Sequence, residues 1–189
     1  MIGVDPFETG VLVPEVHERL VANLEGFASD AGIAPHWIYK PLDPELPELE
    51  LNYVRNFPKH RELGLAGMCL LKSVVPVGAA EDRMSALAGA FLRNFIRAKV
   101  MTLGSALDAL ASGDTIDSTV LLIPNFCTGS AMETKLQEWH CRLLHDLMSE
   151  RQTRGLQTVV YASELKRVSS YMGQPIADLI DSHYAVVGN

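Results

Sequence analysis

The sequence has no apolar run approaching the ~20 residues needed to cross a bilayer, so no membrane-spanning helix is expected. It is also poor in cysteine. Cys69, Cys127 and Cys141 are odd in number, scattered, and nowhere in CxxC spacing, which excludes a disulfide framework and points to a reducing, cytoplasmic setting. The opening residues MIGVDPFETG lack the basic and apolar regions of a secretory signal, so a soluble protein is expected. GxSxG, HExxH, GxGxxG and the EF-hand loop are all missing, and with them the commonest signatures of serine hydrolases, zinc peptidases, dinucleotide binding and calcium binding. Positive charge is in deficit as well. Sixteen Lys and Arg face 23 Asp and Glu, for a net charge of -7 and a pI near 5.3. Direct nucleic-acid binding is therefore expected to be absent or weak. The local groups Arg93/Arg97/Lys99 and Arg151/Arg154 read first as solvated helix faces and ends.

What is present describes a globular domain. Hydrophobic residues make up 48% of the 189, charged residues 21%, and the mean hydropathy is +0.11, which is enough to bury a core. The informative stretch runs from Thr119 to Ser163. An apolar run, Val120–Ile123, breaks at Pro124-Asn125; an amphipathic segment follows, then a second apolar run from Thr158 to Ala162. Strand, helix, strand at this spacing is a βαβ unit, and runs this apolar suit parallel strands covered on both faces.

Upstream, Pro14–Ala28 has helical spacing, and Pro35–Pro47 carries four prolines with Trp37 and Tyr39 among them. That second segment predicts an irregular connector. A short helix is expected over Asn52–Leu63, a strand over Leu65–Leu71, a loop over Lys72–Gly78 and a helix over Ala79–Arg97. A short strand at Val100–Thr102, a helix near Ser105–Ala111, a helix over Glu164–Ile180 broken at Gly173, and a strand at Tyr184–Val187 complete the pattern. Alternating strands and helices predict a three-layer α/β fold with a mainly parallel sheet. The division expected is residues 1–48 as N-terminal helix and proline-rich connector, and 49–189 as the α/β domain.

From about Asn52 to Val187 this order resembles a P-loop NTPase core, and specifically the AAA+ domain of bacterial replicative helicase loaders of the DnaC type, with the related transposon ATP-binding subunits. The residues carrying the resemblance are Gly67–Leu71 at the first core strand, Leu121-Leu122-Ile123 at the Walker B strand, and Glu150–Val160 at a helix end running into the sensor-1 strand. Ser163-Glu164-Leu165 with Tyr171-Met172-Gly173 matches the turn and helix that follow.

The positions that would do chemistry depart from the family. A P-loop uses glycine N–H groups, a Lys and a Ser/Thr hydroxyl around phosphate and magnesium. Lys72-Ser73-Val74-Val75-Pro76-Val77-Gly78 has one glycine at its end, no Gly-Lys-Ser/Thr, and a proline that removes a donor. Pro124-Asn125 stands where the Walker B carboxylate would be. Only Ser163 offers a sensor-1 polar group, and Gly173–Asp178 lacks the arginine of the finger region. The resemblance therefore implies a degenerate nucleotide site near Lys72, Ser73, Gly78, Asn125 and Ser163, no ATP hydrolysis, and no cofactor.

Other constellations are weaker. Cys141 and His145 stand one helical turn apart beside His140, which is half a metal site at most; no metal is expected. Cys127, near a strand end with Asn125 and Ser163, supports an alternative reading as a small-molecule or enzymatic site, and ATP binding without hydrolysis is a third. The first expectation is an inactive AAA+-like assembly subunit in replication or mobile-element DNA transactions. Its partner would be a AAA+ subunit or a replicative helicase, with an oligomer also compatible. Trp37, Tyr39, Arg151 and Arg154 are the candidate partner contacts.

Overall fold

Five short, mostly apolar runs become strands: β1 (Gly67–Leu71), β2 (Ala98–Val100), β3 (Val120–Cys127), β4 (Gln157–Ala162) and β5 (Tyr184–Val187). The computed structural model describes residues 5–130 and 135–188. The first four residues of the expected lead-in and part of the amphipathic segment after Asn125 thus lie outside the described residues. The strands form one all-parallel sheet in the order β2-β3-β4-β1-β5. With helices on both faces, this is the P-loop-like three-layer α/β architecture expected from the sequence.

The order dictates where the helices lie. From β1 the chain crosses to the far edge at β2 through α6 (Ala80–Arg93). It then steps back through α7 (Leu103–Ala111), α8 (Glu138–Thr153), and the pair α9 (Leu165–Met172) and α10 (Gln174–His183). Parallel crossovers are right-handed, so a reversal of direction moves the helix to the opposite face. Strand alternation sorts the side chains accordingly. Met68, Leu70, Leu122 and Val159 pack with Met84, Leu87 and Phe91 of α6. Cys69, Leu121, Ile123 and Val160 pack with Leu107, Leu144, Met148 and Ile180.

The α6 face is thickened by N-terminal elements. The single helix expected at Pro14–Ala28 is two, α1 (Pro14–Ala22) and α2 (Leu24–Ala31), broken at Asn23 with φ -128° and ψ 38°. The Pro35–Pro47 segment is not wholly irregular, because four of the five residues between its first two prolines close one helical turn, α3 (His36–Tyr39). The expected helix at Asn52–Leu63 is also two, α4 (Glu48–Arg55) and α5 (Phe57–Glu62), with Pro58 in the first turn of α5. Proline is tolerated there because the first N–H groups of a helix have no intrahelical partner. Tyr53, Phe57 and Phe91 pack edge to face, with centroids 5.1–6.4 Å apart. The Tyr53 hydroxyl donates to Gln157 Oε1 at 2.7 Å. Glu50 is fully buried against Arg83 at 3.4 Å, and desolvation holds its carboxyl above the ordinary 4.5.

One correction bears directly on the site. β3 does not end at Pro124-Asn125; it runs on to Cys127, with a register shift between Ile123 and Cys127. The shift removes the ladder bond Pro124 could not make, which is how proline survives in an interior strand.

Candidate functional site

In open parallel sheets a ligand crevice forms beyond the carboxyl ends of the strands, where neighbouring connections leave toward opposite faces. Here that place lies between β1 and β4, since β1 feeds α6 on one face and β4 feeds α9 on the other. A crevice of about 370 Å³ occupies it.

Three strand ends build the floor. Ser163 N–H donates to the Cys127 carbonyl at 2.7 Å, and Lys72 N–H donates to the Ala162 carbonyl at 3.2 Å. These bonds clasp the exits of β3, β4 and β1. Thr128 and Gly129 follow β3 into the wall. Gly129 has φ +75°, and a Cβ there would lie 2.8 Å from Ser163 Oγ. Ser163 Oγ itself is buried without a hydrogen-bond partner. The remaining wall belongs to the start of α9. Glu164 caps it in extended conformation, and its carbonyl accepts from Arg167 N–H at 3.1 Å. Lys166 and Lys72 are exposed at the rim. The Arg167 guanidinium lies 4.3 Å over the Tyr171 ring and donates to its hydroxyl at 2.9 Å.

Of the five residues expected at a degenerate nucleotide site, Lys72 and Ser163 meet in this crevice. Ser73 and Gly78 do not line it; they lie in the turn toward α6. Ser73 Oγ donates to the Gly188 carbonyl at 2.6 Å, and Gly78 is exposed without the left-handed φ of a phosphate-cradling nest. Asn125 is elsewhere too. Its Oδ1 accepts from Leu103 N–H at 2.7 Å and so satisfies an orphan donor at the start of α7. Sequence reasoning missed Thr128, Gly129, Lys166 and Arg167. The signal for the last two was their position four and five residues past an apolar strand, at a helix start.

The turn after β1 is closed. Val75 is buried, Val74 and Val75 N–H both donate to the Leu71 carbonyl, and Ala79 N–H donates to the Pro76 carbonyl. The first turn of α6 then carries the exposed acids Glu81 and Asp82.

Cys127 is fully buried, so its thiol is not presented to the crevice. Cys69, beside it, is pushed up to about 12 by burial. Among the described residues no three His, Cys, Asp or Glu side chains converge as a metal site. Cys141 and His145 instead line an apolar groove of about 600 Å³ with Leu136, Met172, Pro175 and Ile176.

The four expected partner contacts separate. Arg151 is 2% exposed and cannot meet a partner. Its guanidinium donates to Thr158 Oγ1 (3.0 Å) and to the carbonyls of Ile116 (2.7 Å), Ser118 (3.0 Å) and Gln157 (2.7 Å), while burial lowers its pKa to about 10. Arg154 is half exposed and ion-paired with Asp117 at 2.9 Å and Glu150 at 3.3 Å. Trp37 is half-buried under Lys40, whose Nζ stands 4.3 Å from its ring, and Tyr39 is half-buried against the N-terminal cluster. No protein-family model matches this chain, and comparison with curated proteins found no match.

Proposed function

We propose that this chain is a catalytically inactive AAA+-like binding or assembly subunit. It acts through protein–protein contacts in replication or mobile-element DNA transactions, on a AAA+ subunit or a ring-shaped replicative helicase. The observation that carries the reading is the turn after β1. A working P-loop aims free N–H groups at phosphate from the start of the following helix. Here the corresponding N–H groups of Val74, Val75 and Ala79 are bonded to the chain's own carbonyls, and Pro76 has none to offer. Glu81 and Asp82 occupy the positive end of α6, where a triphosphate would meet repulsion. The half-exposed Arg154 and Trp37 are the contact candidates that remain available.

The test has two arms. Purified protein with Mg-ATP is expected to release no phosphate above buffer; sustained turnover of even ~1 s⁻¹, the low end for enzymes, would sink the reading. Mixed with the replicative helicase of its own organism at ~10 μM, it is expected to co-elute. Separate elution at that concentration would mean a Kd well above the micromolar range and would remove the helicase as partner.

A further inference from the structure

The proline-rich connector and the last turn of α6 leave a cavity of about 520 Å³ between them, closed on a third side by α4. A crossover helix runs antiparallel to its strands, so this cavity lies at their amino ends, away from the crevice after β4. Leu42, Leu51 and Val54 are half-buried on its walls. Small-molecule pockets favour junctions between structural units and span about 300–1,000 Å³.

Arg93, the last residue of α6, brings charge to this cavity. Its guanidinium is half-buried, and desolvation pushes its pKa down. Nη1 donates to the carbonyls of Ile38 at 3.4 Å and Lys40 at 3.0 Å. Nε and Nη2, the donor pair that grips a carboxylate side-on, have no acceptor among the described residues. Nor does any carboxylate there stand within ion-pair distance of Arg93. Asp43 is on the wall, but its Oδ1 accepts from Glu45 N–H at 2.9 Å within its own turn. A desolvated charge without a counter-ion is costly. Arg55, the last residue of α4, lines the same cavity, exposed. Two guanidiniums against the one carboxylate of Asp43 leave the lining positive.

Both arginines end helices, where bare carbonyls would repel an anion. In α6 those carbonyls are already taken. Asn94 Nδ2 donates to the Ala90 carbonyl at 2.7 Å, Asn94 and Ile96 N–H donate to that of Phe91, and Phe95 N–H to that of Leu92. Phe95 adopts φ +58° to close this turn, a conformation that a bulky residue rarely takes.

We propose that this cavity binds a small organic carboxylate, with the acid group on Nε and Nη2 of Arg93 and on Arg55, and the apolar body against Leu42, Leu51 and Val54. The anion supplies the counter-ion that Arg93 lacks. The connector carbonyls already hold the guanidinium, so little rotamer freedom is lost on binding. The site needs neither a nucleotide nor a protein partner, so it stands whether or not the chain assembles with a helicase.

The experiment is a calorimetric titration with phenylbutyrate and, separately, with its neutral amide. Four proteins are compared: wild type, Arg93→Lys, Arg55→Gln and Lys166→Gln. Arg55 and Lys166 are exposed, so their variants are expected to melt near wild type. Lys166, on α9 at the opposite face of the sheet from α6, is the charge control. Wild type is expected to bind the acid saturably with a Kd of ~1 mM or tighter, and the amide about tenfold more weakly or worse. Arg93→Lys is expected to weaken the acid about tenfold, because an ammonium lacks the fork. Arg55→Gln should weaken it about threefold, and Lys166→Gln by less than about twofold. No saturable heat up to ~10 mM would overturn the proposal. Equal affinity for acid and amide would overturn it too. So would acid binding that Arg93→Lys and Arg55→Gln leave unchanged, since the probe would then sit elsewhere. Inorganic phosphate that displaces the probe and binds more tightly would overturn the carboxylate assignment. Should Arg93→Lys fail to fold, the acid–amide comparison in wild type and the response of Arg55→Gln decide the matter.

Discussion

Arg151 and Arg154 differ by one turn of α8, and the sequence reading treated them as a pair on a solvated end. Their fates follow from periodicity, not charge. Leu144, Leu147, Met148 and Arg151 fall at i, i+3, i+4 and i+7, all inward, and all four are buried. The arginine continues an apolar stripe. With no carboxylate partner among its bonds, its charge is balanced by carbonyl dipoles gathered from the loop before β3 and the start of β4. The spacing that reveals this was present in the sequence; the habit of placing arginine outside hid it. Removing the side chain strands several buried acceptors, each costing about 1–3 kcal/mol if left unpaired. Arg151→Ala is therefore expected to lower stability by about 3 kcal/mol or more in urea unfolding, and Arg151→Lys to recover only part, because an ammonium lacks the planar fork. Arg154→Ala, with its side chain 47% exposed, is expected to leave the urea midpoint close to wild type. Equal small effects at both positions would refute the buried clamp.

At the scale of elements, strands were the most legible feature. β1 and β4 announce themselves because a central parallel strand is apolar on both faces, and β5, at the sheet edge, by its short apolar run. β3 was read too short, since a proline inside a run is ordinarily a terminator, and only the register shift at Ile123/Cys127 explains its survival. That error displaced the candidate site. The strand was taken to end at Asn125, which in fact serves the start of α7, while the crevice wall begins at Thr128. Gly89 carries the corresponding lesson for helices. A glycine within α6 is about 1 kcal/mol worse than alanine on propensity alone. Its use here is contact: a Cβ at Gly89 would collide with the Trp37 carbonyl oxygen of α3. Gly89→Ala is expected to destabilise by about 2 kcal/mol in spite of the propensity gain, because backbone atoms cannot swing aside as a side chain can. Differential scanning calorimetry decides it, and a raised melting temperature would mean that α3 does not approach α6 this closely.

The strand order belongs to the whole molecule, and no local pattern carries it. The pairing of β1 with β4 joins Gly67 to Thr158, far apart in sequence, and this pairing creates the crevice at their carboxyl ends. The relation of residues 1–48 to the remainder is likewise a long-range matter. Leu12, Leu20, Ala28, Ala31 and Ile38 form a small apolar cluster that includes Leu92 of α6. Polar contacts cross the same boundary: Arg93 Nη1 donates to the Lys40 carbonyl at 3.0 Å, and His17 Nε2 lies 2.9 Å from the Arg93 carbonyl. A chain beginning at residue 49 would uncover Leu92 and leave the largely desolvated Arg93 guanidinium without its acceptors. Uncovering one such leucine forfeits about 1.5–3 kcal/mol, a large part of a total stability of about 5–15. The trimmed protein is therefore expected to melt well below the full chain or to aggregate. Should residues 49–189 stay monomeric in light scattering and melt cooperatively at the temperature of the full chain, the N-terminal helices contribute nothing to the core, and the segment is a separable extension.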